Sequence, residues 1–445
     1  MDKHAWENTE YPALQLTDLG GPVRIPQLVA KKVGPLVNSD VLVEVLRCNF
    51  CPTDDRIRTN EFRKGVPADL VPGHEIFGRV VWLGERVNEL RAEKGLSSLK
   101  MGDYVIVDPN IFCEYFVGLD LTHYPDQVRA QAEAGKCYYC SQRREDCCQH
   151  LAAVGVNLDG GYAQYVKVPA YQPLSVEVTI PRNGKDEPAE ETGKVWTQMS
   201  CAEPLACVRW GILQATPFGE TAALCPSLAA PLLARAKEWA GEQSLLVIGG
   251  GFIGQLMLQA ARREGFTIRL LSEPNPRRRE LAQRKGWATQ VVNPTGAKID
   301  ELRRRVKEAL GGDLPGVVIE CVGTVQAAEQ AAALAGTKGR IIWFGVSPPP
   351  HRARVSPYEL YERRGHIVGS GIYLDRDPEN PQPHGMLQWA GERLQRGEVR
   401  ADFGDLGPQV VDLKGMSAHL QTPRDRGEVL KLSVEPGTGL KPLTP

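Results

Sequence analysis

The sequence lacks the long apolar runs that a membrane-spanning helix needs: its 445 residues contain no run of 18 or more apolar residues. It also lacks an excess of charge of either sign. Its 53 lysines and arginines nearly balance its 54 aspartates and glutamates, which gives a net charge of −1. With so little net charge, we expect neither nucleic acid nor a membrane surface to be a partner.

A secretory-type apolar segment is missing from the opening residues, MDKHAWENTE, which are polar. The 11 cysteines are an odd number, and together these features argue against a disulfide framework. We therefore expect a cytoplasmic protein whose reduced thiols serve packing, metal binding or catalysis. Five of the cysteines lie between Cys113 and Cys148, so metal binding has to be considered there.

The hydrophobic pattern changes along the chain. Short alternating segments punctuated by glycine and proline predict a β-rich, barrel-like domain over about the first 200 residues. From Ser244 onward, apolar runs and helical patterns alternate, which predicts a doubly wound parallel α/β domain. A late strand candidate, EVLKLSVEP, indicates that the chain then returns to the first domain. The predicted domains are residues 1–208, 209–375 and 376–445.

Some segments fit neither pattern and are predicted to be insertions or surface excursions. They are residues 114–136, 182–194 and 216–243. The predicted strands of the first domain lie at 41–47, directly after Glu75, at 102–109 and at 160–169.

The stretch VIGGGFIG places a G-x-G-x-x-G pattern between an apolar strand and a helix. The first glycine permits a tight turn, and the second lets the backbone approach a pyrophosphate at the helix N-terminus. The alternative is a glycine turn that serves packing alone. The predicted cofactor-binding residues are Gly249, Gly251, Phe252, Ile253, Gly254, Glu273 and Arg278.

Glu273 ends the next predicted strand and favours NAD over NADP. Its carboxylate would accept hydrogen bonds from the adenosine ribose hydroxyls and would repel a 2′-phosphate. The run Arg277, Arg278 and Arg279 weakens this preference, because an arginine there would attract the phosphate.

The stretches CPTD and GHE contain candidate zinc ligands. A Cys51 thiolate and a neutral His74 imidazole suit zinc, with Glu75 and Glu203 as further candidates. Three or four ligands from this set would leave a catalytic zinc one open position. The alternative is that Cys51 and His74 are buried and inert.

Two neighbours of Cys51 then acquire roles. The hydroxyl of Thr53 is expected to bond an alkoxide at the metal and to carry its proton outward. The carboxylate of Asp54 is expected to orient the His74 ring.

These motifs resemble the zinc-dependent medium-chain dehydrogenases and reductases, the alcohol and polyol dehydrogenase superfamily. The stretches that carry the resemblance, in the family's order, are CPTD, GHEIFG, GDYVIVDP, DGGYAQYVKVP, AEPLA, GGGFIG, VVIECVG and GRIIWFGV. The resemblance implies a GroES-like catalytic domain, a Rossmann domain that binds NAD, and a homodimer or homotetramer. Glu203, in place of a cysteine ligand, resembles the sorbitol, threonine and glucose dehydrogenase branches.

The family often carries a second, structural zinc bound by four cysteines. Here Cys137, Cys140 and Cys148 keep the last spacings of that pattern, while Ala134 occupies the first position. The resemblance implies that Cys113 completes the site across an insertion, with Cys147 as an alternative to Cys148. The competing interpretation is a degraded lobe, that is, a cysteine-containing segment at 113–148 that has lost the zinc site and keeps free thiols.

The sequence therefore predicts an α/β oxidoreductase that transfers hydride between NAD and a small alcohol. The substrate class is a secondary alcohol, polyol, sugar, cyclitol or amino alcohol. One alternative is a zinc-independent, NADPH-linked reductase of the same superfamily. Another is a non-catalytic nucleotide-binding relative. The motif ECVG at 320–323 is expected on the nucleotide side.

Overall fold

A computed structural model describes residues 3–61, 65–181, 191–347, 350–421 and 429–437. The chain divides into a first unit, Met1–Glu203 with Gln382–Pro445, and a second unit, Pro204–Pro381. These borders differ by a few residues from those expected at 208 and 375. Within the second unit, the Arg209 Nε atom donates to Asp377 Oδ2 at 2.7 Å, and both side chains are buried. That ion pair keeps the segment around Asp377 with the second unit.

The strands follow in chain order. They are β1 (Glu10–Thr17), β2 (Ile25–Lys32), β3 (Asp40–Asn49), β4 (Asp69–Leu70), β5 (Glu75–Leu83), β6 (Tyr104–Val107), β7 (Asn110–Ile111), β8 (Ala152–Ala153), β9 (Tyr165–Pro169), β10 (Pro173–Ser175), β11 (Ser244–Ile248), β12 (Ile268–Ser272), β13 (Gln290–Val292), β14 (Val317–Glu320), β15 (Arg340–Trp343), β16 (His366–Gly369), β17 (Gln409–Val411) and β18 (Leu432–Val434).

The α-helices are numbered in the same way. They are α1 (Lys3–Glu7), α2 (Pro52–Arg58), α3 (Val87–Glu93), α4 (Asp126–Glu133), α5 (Tyr138–Ser141), α6 (Thr192–Met199), α7 (Ala202–Ala215), α8 (Gly219–Leu224), α9 (Ala229–Gly241), α10 (Phe252–Arg263), α11 (Pro276–Arg284), α12 (Ile299–Leu310), α13 (Val325–Leu334), α14 (Pro357–Arg363), α15 (Gly385–Gln395) and α16 (Leu413–Gln421).

The main sheet of the first unit has the order β10-β6-β5-β3-β18-β17, with β9 also paired to β3. Strand β3 lies in the middle of this sheet, and its residues are therefore buried almost without interruption. Asn49, at its end, lies opposite Glu75 of β5 and Ser433 of β18. The segment after β3, the start of β5 and strand β18 therefore meet at the same end of these neighbouring strands.

The first unit also contains a smaller sheet of order β2-β1-β4, which the sequence patterns did not predict, and the two-stranded sheet β7-β8. The expected insertion at 114–136 contains α4 and is anchored by Tyr124, whose hydroxyl donates to buried Asp40 at 2.7 Å. Residues 182–190 of the second expected insertion lie outside the described residues.

The second unit contains a parallel sheet of order β13-β12-β11-β14-β15-β16. In order of appearance this is 3-2-1-4-5-6, so the prediction of a doubly wound fold is confirmed. Its strands read as continuous apolar runs because helices cover both faces; Leu246, Leu270 and Val318 are fully buried. The segment at 216–243, expected to be an insertion or surface excursion, contains the helices α8 and α9, with Leu233 and Ala240 buried.

Candidate functional site

Three potential metal ligands lie together in the first unit. Cys51 is the N-cap residue of α2, directly after β3, and Pro52 occupies the first helical position. His74 directly precedes β5, and Glu75 begins it. A ligand atom from each of the three side chains lies within 4.8 Å of the others, a spacing at which one metal ion can contact them all.

Asp54 joins the two segments that carry these side chains. Its Oδ2 atom accepts from the backbone N–H of Cys51 at 2.9 Å and from the Tyr162 hydroxyl at 2.8 Å. Its Oδ1 atom accepts from the N–H of Gly73 at 3.2 Å. The same Oδ1 atom lies 3.7 Å from His74 Nδ1, so the carboxylate also faces the ring that it is predicted to orient. Asp54 therefore holds the backbone on both sides of the donor group.

Gly73 is required by the way the chain reaches His74. Its φ of +95° lies in the region that favours glycine. A Cβ atom there would lie 2.7 Å from both Cys48 Sγ and a ring carbon of Tyr162. The glycine of GHE therefore lets the backbone pass through a crowded interior and deliver His74 to the site.

The surroundings of the three donors suit a cation. His74 Nδ1 and Glu75 Oε2 are buried and have no hydrogen-bond partner among the described residues. Burial disfavours the imidazolium, but the Cys51 thiolate and the Asp54 carboxylate outweigh it and raise the pKa of His74 well above its usual value. The donor set of sulfur, imidazole and carboxylate is typical of zinc.

Thr53 and Glu203 lie differently around this group. The Thr53 Oγ1 atom lies 3.6 Å from Cys51 Sγ, so the threonine hydroxyl is directly beside this potential metal ligand. Glu203, in the first turn of α7, is buried but is not part of the three-donor group. The neighbouring Cys201 is fully buried, and burial raises the pKa of its thiol to about 12, as expected for a core residue.

In the second unit, the glycine turn joins β11 to α10 as predicted. Gly249 has a φ of +95°, and a Cβ atom at Gly254 would lie 1.8 Å from the Gly249 carbonyl oxygen. A Cβ atom at Gly251 would meet nothing within 4 Å, so the space before the helix is open. Gly251 is the N-cap of α10 and provides no side-chain cap, which leaves N–H groups available to a phosphate. Phe252 and Ile253 form the first turn.

Glu273 follows β12 and faces this turn. Its Oε2 atom accepts from the Gly250 N–H at 2.5 Å, and its Oε1 atom accepts from the Asn275 N–H at 2.8 Å. Arg278 Nη1 lies 4.0 Å from Oε2, whereas Arg279 donates to the carbonyl oxygens of Glu273 and Pro274. Arg279 is therefore turned toward the backbone, and Arg278 is the arginine nearest the Glu273 carboxylate.

Two sequence families match the chain. The alcohol dehydrogenase GroES-like domain matches residues 37–178, and the zinc-binding dehydrogenase family matches residues 253–389. Together these ranges cover more than half of the chain. The chain belongs to the zinc-binding medium-chain alcohol and polyol dehydrogenases. The predicted family, the GroES-like and Rossmann fold class, and the predicted enzyme class are confirmed.

Curated relatives of this dehydrogenase act on different alcohols. The chain is 28% identical to L-threonine 3-dehydrogenase of Pyrococcus horikoshii over 338 residues, which are 76% of each protein. It is 26% identical to D-altritol 5-dehydrogenase of Agrobacterium fabrum, over 86% of this chain and 90% of that protein. These names differ in the alcohol oxidised, so they support the class of reaction more than any one substrate.

Solved structures share the fold. One, described as a zinc-binding dehydrogenase from Sinorhizobium meliloti bound to NADP, is 24% identical, with a TM-score of 0.70 over 96% of this chain and all of that one. Another, an alcohol dehydrogenase from Escherichia coli complexed with NADH, is 18% identical, with a TM-score of 0.67 over 96% of this chain and all of that one. The family implies zinc and NAD or NADP as cofactors.

A second group of potential metal ligands lies in the first unit of this dehydrogenase. Sulfur atoms of Cys113, Cys137, Cys140 and Cys148 lie within 4.8 Å of one another. The Cys137 N–H donates to Cys113 Sγ at 3.2 Å, which joins the distant cysteine to the others. The neighbouring Cys147 is exposed and lies outside this group. Four sulfurs at this spacing suit a closed tetrahedral zinc site.

The thiols of this four-cysteine group titrate together. A hydrogen bond from Cys140 lowers the pKa of Cys148 to about 5, and the same bond to Cys148 raises the pKa of Cys140. Burial raises the pKa of Cys113 to about 11. The pKa values of Cys137 and Cys148 are thus lowered while those of Cys113 and Cys140 are raised, as expected for closely spaced thiols that share hydrogen bonds.

One buried neighbour of the three potential metal ligands escaped the sequence analysis. Lys431, just before β18, is buried, and its Nζ atom lies 2.7 Å from Glu75 Oε1. Burial alone would lower the pKa of Lys431, but Glu75, Cys51 and Cys201 raise it. The only signal in the sequence was a charged residue inside the apolar strand pattern of EVLKLSVEP.

In the described part of the chain, no helix combines the length and the apolar character that a membrane-spanning helix requires.

Proposed function

We propose that this chain is a zinc- and NAD-dependent dehydrogenase of secondary alcohols, with polyols, sugars, cyclitols or amino alcohols as substrates. The observation that carries the proposal is the convergence of Cys51, His74 and Glu75 within 4.8 Å in a member of this family. Bound zinc would lower the pKa of a substrate hydroxyl, and bound NAD would accept the hydride.

The chain's own residues have distinct parts in this proposal. Cys51, His74 and Glu75 hold the metal, and Lys431 balances Glu75 by pairing with its Oε1 atom, which leaves Oε2 for the metal. Asp54 keeps the two ligand segments together. Thr53 Oγ1 receives the hydroxyl proton and passes it outward, since the residue is only half-buried. Glu203 is retained as a candidate fourth ligand.

The four-cysteine group is proposed to hold a structural zinc. Its four thiolates fill the coordination sphere, so no position is left for substrate. We also propose a homodimer or homotetramer. Strand β16 lies at the edge of its sheet, and Tyr358 and Tyr361 of the preceding helix α14 are 66% and 82% exposed. The open edge and the exposed aromatic side chains are each a candidate surface for a second copy.

The function is tested by an NAD-linked activity screen over polyols, aldoses, cyclitols and amino alcohols, with zinc measured on the same sample. We expect NADH formation with at least one class and up to two zinc ions per chain. Zinc-free protein that reduces enones or quinones with NADPH would favour the reductase alternative. Nucleotide binding without turnover on any class would favour the non-catalytic one.

The preference for NAD is proposed to depend on Glu273. We expect Glu273→Ala to weaken NAD binding by about tenfold, because a charged acceptor for the ribose hydroxyls is lost. NADP binding should weaken less or improve, since the repulsion of its phosphate is removed and Arg278 is released. Dissociation constants for both dinucleotides, measured by calorimetry, give the ratio.

Glu280→Ala is the matched control, because it removes an exposed carboxylate from α11. The ratio of NAD to NADP affinity should stay unchanged in that variant. An unchanged ratio in Glu273→Ala as well would remove Glu273 from this role.

A further inference from the structure

The buried carboxylate of Glu320 has no part in the chemistry described so far. Glu320 is the last residue of β14 and is only 1% exposed. Its Oε1 atom accepts from the backbone N–H groups of Val322 and Gly323 at 2.6 and 2.7 Å. The side chain thus folds back on the loop that directly follows its own strand.

Glu320 also contacts the loop after the next strand. Its carbonyl oxygen accepts from the N–H groups of Phe344 and Gly345, at 3.0 and 2.9 Å. A Cβ atom at Gly345 would lie 2.6 Å from Glu320 Oε2, so only a glycine lets this backbone come so close. Burial raises the pKa of Glu320, whereas the N–H groups of Gly323, Val322 and Gly345 oppose that shift.

The two loops also contact each other. Ser347 Oγ donates to the Gly323 carbonyl at 3.0 Å, and a Cβ atom at Gly323 would lie 2.6 Å from the Val346 carbonyl oxygen. In these loops the apolar side chains of Val322 and Val346 are 48% and 59% exposed. Glu320 therefore fixes two loops that present an apolar surface.

The sheet order identifies the part of a dinucleotide that these loops would meet. Strand β11, with the glycine turn, lies between β12 and β14. Glu273 follows β12, on the side proposed for the adenosine ribose, and Glu320 ends β14 on the opposite side. A dinucleotide that crosses the carboxyl edge of such a sheet puts its halves on the two sides of that turn. Val322 lies against the turn, since a Cβ atom at Gly249 would be 2.6 Å from its Cγ2 atom.

We propose that Glu320 is a positioning residue for the nicotinamide half of the cofactor, acting through the backbone of the loops at Val322 and Val346. This inference rests on the proposed dinucleotide function. The carboxylate accepts from backbone N–H groups on the inner side of the loops, and the valines contact the nicotinamide ring on the outer side.

The test compares NADH with ADP-ribose, which lacks the nicotinamide ring, in calorimetric titrations of the full-length, zinc-loaded protein. In Glu320→Gln, an amide N–H faces the Gly345 backbone where a carboxylate oxygen stood. We expect NADH to bind about tenfold more weakly, equal to about 1.4 kcal/mol, while ADP-ribose affinity stays within about twofold. If Glu320→Gln does not fold, Glu320→Asp, whose carboxylate is withdrawn from Val322, should show the same split.

Ile341→Val in β15 is the control, because it removes a buried methyl group near these loops without touching the carboxylate. It should leave both affinities unchanged. Equal weakening of NADH and ADP-ribose in the Glu320 variants, or no weakening of either, would overturn the positioning role. If neither ligand binds the unmodified protein, the proposed dinucleotide function itself is wrong.

Discussion

Replacing Cys51 with serine is expected to lower kcat/KM for the alcohol substrate by at least about a thousandfold, or about 4 kcal/mol of transition-state stabilisation. The thiolate is one of the three donors that the described residues bring within 4.8 Å of one another at this site, and a serine hydroxyl binds zinc poorly at neutral pH. Zinc content should fall by one ion per chain. NAD affinity should persist, because the glycine turn belongs to the second unit.

The matched control is Cys225→Ser. Cys225 lies directly after α8, is half-buried, and belongs to no group of potential ligands among the described residues. Its replacement should leave zinc content, turnover and nucleotide affinity unchanged. Full turnover in Cys51→Ser, measured with the zinc content of the same sample, would refute the ligand assignment.

Replacing Cys140 with serine is expected to have its largest effect on stability. A structural zinc contributes binding free energy directly to folding, of order 10 kcal/mol in favourable cases. Since about 1 kcal/mol shifts the unfolding midpoint of a domain of this size by about 2–4 °C, we expect the midpoint to fall by at least about 10 °C. At temperatures where the variant stays folded, kcat should change little, because a closed four-thiolate site has no position for substrate.

Cys147→Ser separates this effect from a general sensitivity of the lobe. Cys147 is next to Cys148 in sequence, but it is exposed and outside the four-cysteine group. The control should keep the unfolding midpoint and the full zinc content. A normal midpoint in Cys140→Ser would instead favour a degraded lobe with free thiols.

Local sequence was informative wherever one short segment carries its own physical requirement. The glycine turn was predictable because Gly249 and Gly254 are needed by backbone geometry within a few residues of each other. His74 and Glu75 were predictable as donors from their chemistry, and Gly73 beside them from its place in the family motif. In each case, residue type and spacing already limit what the segment can do.

Other features depended on contacts between distant segments. The sequence offered Asp54 only as a partner of the His74 ring, whereas in the structure its oxygens also accept from the Cys51 and Gly73 N–H groups and the Tyr162 hydroxyl. Glu203 was expected near the metal donors and lies outside their group. The segment at 216–243 was expected to be an insertion or surface excursion, and the sequence did not show that it forms the helices α8 and α9, because their few buried positions form a weak pattern without the neighbours they pack against.

By itself, the sequence determined the family and the order of the two folds. It also determined which residue types are available as zinc donors and for a phosphate-binding turn. These follow from patterns of a few residues, whose backbone and ligand chemistry are the same in any context. Only the tertiary structure decided that Cys113 joins Cys137, Cys140 and Cys148, and that Lys431 pairs with Glu75. The register of β3, β5 and β18 brings Lys431 to Glu75 across more than 350 residues, and such pairings are set by packing of the whole unit.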